Sequence, residues 1–567
     1  MLRWLASASV LVLLAGCGSS SSADPGAGGP AVTVSGQVTF DKVPVVPGQG
    51  LVYSQTVAQP ARGVTVELLQ NGSVTASTTT DAAGNYSFGN VAASTDVAVR
   101  VRAEMLRVGS PSWDFRVVDN VNGDALYTLA GAVFNTGTAA VTRNLHAASG
   151  WTGAAYTETR SAAPFAILDV AYDAVQLVLT AAPATAFPAL RFQWSTANVP
   201  VDGTGPGEIG SSRYRADAGI VLLGAADQDT DEYDRHVIAH EFGHYLEHRF
   251  SRSDSIGGPH ALTDQLDMRL AFGEAWGSAF AAMATGQRIY VDSHSAGQAH
   301  AFSFDLEQTP TRINPNPGWF NEESLQALIY DLYDEGRDVP PGSLTVDDLS
   351  LGFGPIWRAL TNEQRTTRAL TSVFPFVNAL KGARPADQPL IDSLTTSQRI
   401  ADVTDDFGTG QTNFGLPTKR TLVEVSKDFN TVYGSLVVGA TLAEVCSLDD
   451  YTSSATGAEN KLASRRYVHF AVTNPGAHTI TARARAPLNA AADPDMVLHL
   501  GGGQTLKSET EPSCSVSKPE NCVEEFSPDL QVGNYVLEVY EWSNTNRADD
   551  PEYPPIGRTC FDVTVTR

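Results

Sequence analysis

The stretch DRHVIAHEFGHYLEHRF, residues 234–250, holds four of the chain's eleven histidines within thirteen positions. At about 100° of rotation per residue, a helix through it gathers Val237, His240, Glu241, His244 and His248 on one arc. Ile238, Phe242, Tyr245, Leu246 and Arg249 cover the opposite side. That second side is an apolar stripe with an arginine whose stem can lie along it, so it packs. The first side carries two imidazoles one turn apart, with a carboxylate beside the earlier one. Imidazoles at i and i+4 can both reach one tetrahedral ion, and His240-Glu241-Phe242-Gly243-His244 has the HExxH spacing that does so. A short apolar run just upstream, AGIVLLG (residues 218–224), reads as a strand, and helical periodicity dominates from 231 to about 403. A strand followed by helices predicts an α+β unit around the histidine helix.

A catalytic ion held this way needs a third protein donor. The continuation HExxHxxGxxH would require glycine at 247 and histidine at 250, where the chain has Glu247 and Phe250, so the metzincin pattern is excluded. His248 lies one turn beyond His244, but three donors from consecutive turns of one helix would meet an ion at poor tetrahedral angles. Glu274 is the better candidate. In LDMRLAFGEAWGSAFAAMATG (residues 266–286) it is surrounded by Gly273, Ala275, Gly277, Ser278, Ala279, Ala281 and Ala282, all small. Glycine inside a helix costs about 1 kcal/mol relative to alanine, and close approach to another helix supplies the reason for two.

A glutamate on a second helix packed against HExxH resembles the gluzincin metallopeptidases, the thermolysin-like and fungalysin-like enzymes. The resemblance implies a two-lobed α+β zincin domain that holds Zn2+ through His240, His244 and Glu274. Glu241 would be the general base, taking a proton from the attacking water and passing it to the leaving amine. The 29 residues between His244 and Glu274 make a long gap for that clan, with SRSDSIGGPH (residues 251–260) looping out. Ser278 stands where thermolysin-like members have an aspartate bonded to a zinc histidine; serine can accept from an imidazole N–H but brings no negative charge. Such enzymes also set a downstream histidine or tyrosine against the charge of the tetrahedral intermediate. His260, His294, His300, Tyr330 and Tyr333 are available for this, and Tyr330 is the one expected to serve.

Outward from this centre the chain divides into several units, as its 567 residues require. Residues 1–17, MLRWLASASVLVLLAGC, combine Arg3 with an apolar run too short to span a bilayer permanently, the pattern of an export signal. Leu14-Ala15-Gly16-Cys17 resembles the bacterial lipobox, which implies a lipid anchor on Cys17. The serines and glycines of residues 18–30 read as a flexible tether. Residues 31–118 alternate apolar and polar in short runs such as AVTVSGQVTF and DVAVRVRA, predicting a β-sandwich. Within them, Gly63-Val64-Thr65-Val66 followed by TTTDAAGNYSF resembles the carboxypeptidase-regulatory-like domains of secreted enzymes. The zinc-peptidase unit is expected over 119–420, with PFAILDVAYDAVQLVLTA (164–181), NEESLQALIYDLYDEG and RALTSVFPFVNALKG as further helices. Residues 421–567 return to strands, and DPDMVLHLG and GNYVLEVYEW within them resemble the bacterial pre-peptidase C-terminal β-sandwich.

The remaining cysteines, Cys446, Cys514, Cys522 and Cys560, are even in number and fit disulfides in an oxidising compartment. Three pairings are possible, and Cys446 with Cys560 and Cys514 with Cys522 are expected here. A net charge of −25 argues against a nucleic-acid partner. Acidic clusters at 227–231 and 402–406 are where Ca2+ would be sought, although acidic surface loops account for both. The expected function is therefore zinc-dependent hydrolysis of proteins or peptides outside the cytoplasm by a membrane-anchored lipoprotein. The alternative is a surface-anchored binding or adhesion protein with an inactive core.

Overall fold

A computed structural model of the chain describes residues 30–307, 317–335, 348–411, 431–448, 459–488, 490–508, 514–518, 521–545 and 555–567. Cys17, the leader and nearly all of the tether lie outside the described residues. The protein is multidomain and mixed α/β, rich in sheet, with disulfides and a group of side chains that could hold a metal ion.

The N-terminal strands form two sheets. In one, Ala31–Lys42 is flanked by Val57–Pro60, Asn85–Ala92, Val141–Thr142 and Leu145–Ala147. The other runs through Arg213–Arg215, Gly219–Leu222, Leu190–Trp194, Trp113–Asp119, Asp96–Arg107, Val64–Gln70 and Ser73–Thr79 in that spatial order. The boundary expected at residue 118 falls inside Trp113–Asp119. This strand pairs antiparallel with Asp96–Arg107 on one edge and parallel with Leu190–Trp194 on the other. A strand with both edges available leaves no exposed row of backbone groups when it is paired on both sides. The N-terminal sandwich and the central unit accordingly share one sheet and one continuous apolar core.

Four helices matter for the site: α1 (Ala163–Ala181), α2 (Arg235–Phe250), α3 (Met268–Thr285) and α4 (Glu322–Asp331). Helix α1 is apolar enough for a membrane span by length and composition, yet most of it is buried in the core. Its acidic residues tie three elements together. Asp169 and Asp173 pair with Arg62 of the N-terminal sandwich at 2.5 and 2.8 Å, and Asp173 also pairs with Arg235 at the start of α2 at 2.7 Å. The apolar side of α2 packs on the sheet as its pattern requires: Phe242 lies edge-on to Phe115, and the Tyr245 hydroxyl donates to the Pro188 carbonyl at 2.6 Å. The helix expected in RALTSVFPFVNALKG begins only at Val373, after an extended Ser372.

The C-terminal strands make a second sandwich with its own core. One sheet is Tyr433–Leu436, Arg465–Val472, Gly533–Glu541, Pro494–Gly501 and Gln504–Ser508; the other is Thr441–Ser447, Thr559–Thr566, Thr479–Ala484 and Val523–Phe526. Cys446 and Cys560 are opposite one another on paired strands and are bonded, as are Cys514 and Cys522, the expected pairing.

This sandwich is bolted to α3 through buried charge. Arg269 is 3 % exposed and donates to Glu538 at 2.9 Å, to Asp267 at 2.9 Å and to the Tyr467 hydroxyl at 2.7 Å. Glu538 also receives Arg465 at 2.5 Å and faces His499 at 3.0 Å. A second tie runs from Asn460 and Lys461. Asn460 Nδ2 donates to the Gly257 and Pro259 carbonyls at 2.9 and 3.1 Å, and Lys461 Nζ to Pro259 at 3.0 Å. The buried Lys461 also pairs with Asp264 at 3.3 Å.

Candidate metal centre

Helices α2 and α3 approach so closely that side chains are excluded between them. A Cβ on Gly277 would sit 2.8 Å from the His240 ring, and one on Gly243 would sit 3.2 Å from the Gly277 Cα. The Trp276 indole N–H donates to the Gly243 carbonyl at 2.9 Å and fixes this spacing. The helix-weakening glycines are thus what brings Glu274 of α3 to the histidines of α2. Gly277→Ala is expected to push the His240 ring aside and lower metal affinity by about tenfold or more. Competition with a chelating dye, alongside circular dichroism to check the fold, measures this; unchanged affinity would show that the cradle does not position His240.

His240 Nε2 and His244 Nε2 lie 2.9 Å apart, and Glu274 Oε2 is 3.2 Å from the first and 3.4 Å from the second. All three donor atoms fall within 4.8 Å of one another, so this trio could hold one metal ion. Ser278 Oγ lies 3.3 Å from His240 Nδ1, the neutral partner anticipated from the sequence. Burial disfavours the Glu274 carboxylate's charge, but His244 and His260 override it and hold the group well below the usual carboxylate range. His244 is likewise opposed by burial, yet Glu274 draws it up to about 9. A cation among these groups would supply the positive charge that protons on the imidazoles otherwise provide.

Glu241 is 8 % exposed, and one of its oxygens accepts the Tyr214 backbone N–H at 2.5 Å. Tyr214 belongs to Arg213–Arg215, the edge strand of the shared sheet. Burial raises the Glu241 carboxyl, and the two histidines pull against that rise. His248 is turned elsewhere: its Nδ1 is 2.8 Å from the Tyr214 hydroxyl and takes no part in the trio.

The cavity beside the trio has a volume of about 620 Å3, and its walls include His240, Glu241, Glu274, His260, Tyr290 and Glu322. Tyr330 is not among its lining residues. It packs near Tyr333, eight residues beyond Glu322 on α4 and so about 12 Å farther along the axis. Tyr333, His294 and His300 do not line it either. His260 does, because the segment 251–260 does not loop out: it folds back and brings His260 Nε2 to 3.4 Å from Glu274 and 3.7 Å from Glu322. Burial works against its charged form, and the Glu274 carboxylate nevertheless raises it to about 10.

Of the sequence-predicted residues, the structure brings together His240, Glu241, His244, His260, Glu274 and Ser278. Those the sequence reading missed are the Tyr214 N–H, Tyr290, Glu322 and Asp292, which joins Asp229 and Asp231 of the 227–231 cluster in the cavity lining. The acidic cluster at 402–406 is structural, with Asp405 closing a turn onto Phe407 and Thr409 and Asp406 bonded to Thr367 and Asn378.

No family model and no curated protein matches the chain. Among solved structures, the pre-peptidase C-terminal domain of a Bacillus anthracis collagenase is similar at 13 % identity, covering 24 % of this chain and 93 % of that one with a TM-score of 0.16. A Paenibacillus cycloisomaltooligosaccharide glucanotransferase, solved with cycloisomaltoheptaose, is similar at 9 % identity over 93 % of this chain and 72 % of that one, with a TM-score of 0.13. Likeness this distant assigns no activity, and the chemistry of the chain has to be argued from its own residues.

Proposed function

We propose that this protein is a zinc-dependent hydrolase of peptide bonds with a two-lobed α+β zincin core of gluzincin type. The observation that carries the reading is the convergence of His240, His244 and Glu274 from two helices, beside a cavity that also holds the Glu241 carboxylate. Two imidazole nitrogens and one carboxylate oxygen are the donors of a catalytic zinc site that keeps a position for water. Zinc in such a set acidifies water and polarises a substrate carbonyl.

The other steps fall to the chain itself. Glu241 takes a proton from the attacking water, the hydroxyl joins the carbonyl carbon, and the same proton passes to the amine nitrogen as the C–N bond breaks. The Tyr214 N–H orients the carboxylate by one oxygen and leaves the other to move the proton. His260 is assigned the donor role expected of Tyr330, its N–H facing the charge that develops on the carbonyl oxygen. The two disulfides support an oxidising compartment. The full reading is an exported lipoprotein, anchored through Cys17 and acting on extracytoplasmic proteins or peptides.

Elemental analysis of chain beginning at residue 18, with casein cleavage assayed beside it, tests this. About one zinc per chain is expected, with cleavage abolished by a chelator and restored by zinc. Glu274→Ala should lose the zinc; full zinc content would remove Glu274 from the ligand set. Absence of both zinc and cleavage after zinc is supplied would leave a surface-anchored binding protein.

A further inference from the structure

Asp229–Thr230 pairs antiparallel with Ile289–His294, with Asp229 opposite His294. Asp231 lies just past the end of the first strand, and Asp292 two residues before His294 on the second. Residues two apart on a strand share a face, so Asp229, Asp231 and Asp292 gather on one side of the ribbon. One carboxylate oxygen from each lies within 4.8 Å of the others. Like charges so close together are destabilising, and Asp231 is 2 % exposed while Asp229 and Asp292 are half-buried. Among the described residues no lysine or arginine pairs with any of them.

A separate observation comes from the next carboxylate along the chain. Asp234 is wholly buried. Its Oδ2 accepts the Ser293 N–H at 3.0 Å and the Ser293 hydroxyl at 2.7 Å, while its Oδ1 has no partner. Its charge bears on Asp292 and Asp229, so it belongs to the same electrostatic cluster. One oxygen each of Asp229 and Asp292 is also buried without a hydrogen-bond partner. A buried, unpaired carboxylate oxygen carries the full cost of its lost hydration. Burial accordingly pushes Asp292 up to about 7 and Asp229 up to about 6, and raises Asp231 and Asp234 well above the ordinary carboxylate range with help from their neighbours' charges.

The geometry points to a second cation site, in which Asp229, Asp231 and Asp292 bind calcium and Asp234 adds a fourth carboxylate to its surroundings. Oxygen-only donors select a hard cation. Calcium accepts six to eight oxygens at about 2.3–2.6 Å in flexible geometry, whereas magnesium demands a near-ideal octahedron at about 2.0–2.1 Å and keeps several waters, so a cluster of protein carboxylates suits calcium better. The site shares its cavity with the histidine trio. Asp234 is the residue that precedes α2, and Ile289–His294 carries Tyr290 into the cavity wall. Calcium here would therefore fix the entry to the histidine helix.

The full chain, stripped of metal by dialysis against a chelator, is titrated with calcium chloride alone and, separately, with terbium as a luminescent substitute. One calcium per chain, terbium emission displaced by calcium, and an unfolding midpoint raised by about 3 °C are expected. Asp292→Asn should bind calcium at least about tenfold more weakly and, in chelator, unfold at a higher temperature than the parent, since it removes one of the opposed charges. If the variant does not fold, the parent's terbium titration still decides. Absence of calcium and terbium binding by the parent would overturn the proposal, as would saturation of these carboxylates by zinc with no response to calcium.

Discussion

Glu241→Gln is expected to lower casein cleavage by about 10²–10⁴-fold while the chain keeps its full complement of zinc. Glutamine has the shape of glutamate, and its amide oxygen can still accept the Tyr214 N–H that Glu241 accepts at 2.5 Å. What disappears is the basic oxygen that moves the proton. The loss should appear in kcat with KM changed only a few-fold, because the side chain acts on the reacting water and not on substrate binding. Stability should hold or rise, since the native carboxylate is buried at a cost that already lifts its pKa. A variant that keeps parental turnover would remove the proton-transfer role. One that loses zinc would instead make Glu241 a ligand.

The second large effect lies far from the chemistry. Glu538→Ala should destabilise the protein by about 3–5 kcal/mol, because it strands Arg269 and Arg465 in the interface without their shared carboxylate. Burial opposes the Glu538 charge, but Arg269, with help from His499 and Arg465, holds the carboxyl well below its ordinary 4.5. A depressed folded-state pKa contributes stability above that ordinary value and loses it as pH falls through the folded one. The parent should therefore weaken under acid more steeply than the variant. Urea unfolding at two pH values measures both. A change below about 1 kcal/mol at neutral pH would mean that the network is solvated and the sandwich only loosely seated.

The histidine helix was legible because its two faces differ chemically at a fixed period, and Glu274 because small residues around one acid imply a close neighbour. Gly277 against His240 is that implication realised. The join at residue 118 was hidden. Alternation in Trp113–Asp119 reports a buried face but not which strands lie on either edge, so the shared sheet has no local signature. His260 was hidden for a related reason: residues 251–254 are held by partners at 360–371, and Gly257 and Pro259 by Asn460 and Lys461, one to two hundred residues later. Asp292 joins Asp229 and Asp231 through strand pairing that no short-range pattern announces.

The ties from Asn460 and Lys461 to Gly257 and Pro259 also bear on modularity. Every residue given a chemical role here precedes position 323, so a chain cut before 459 would carry the whole catalytic inventory. It would nonetheless lack the ties that hold Gly257 and Pro259 just before His260, and one of the two counter-charges for Arg269 at the root of α3. The second sandwich is thus part of the minimal working unit. Trimming it would remove no residue that lines the cavity, yet it would take away the supports of Gly257, Pro259 and Arg269 behind that lining.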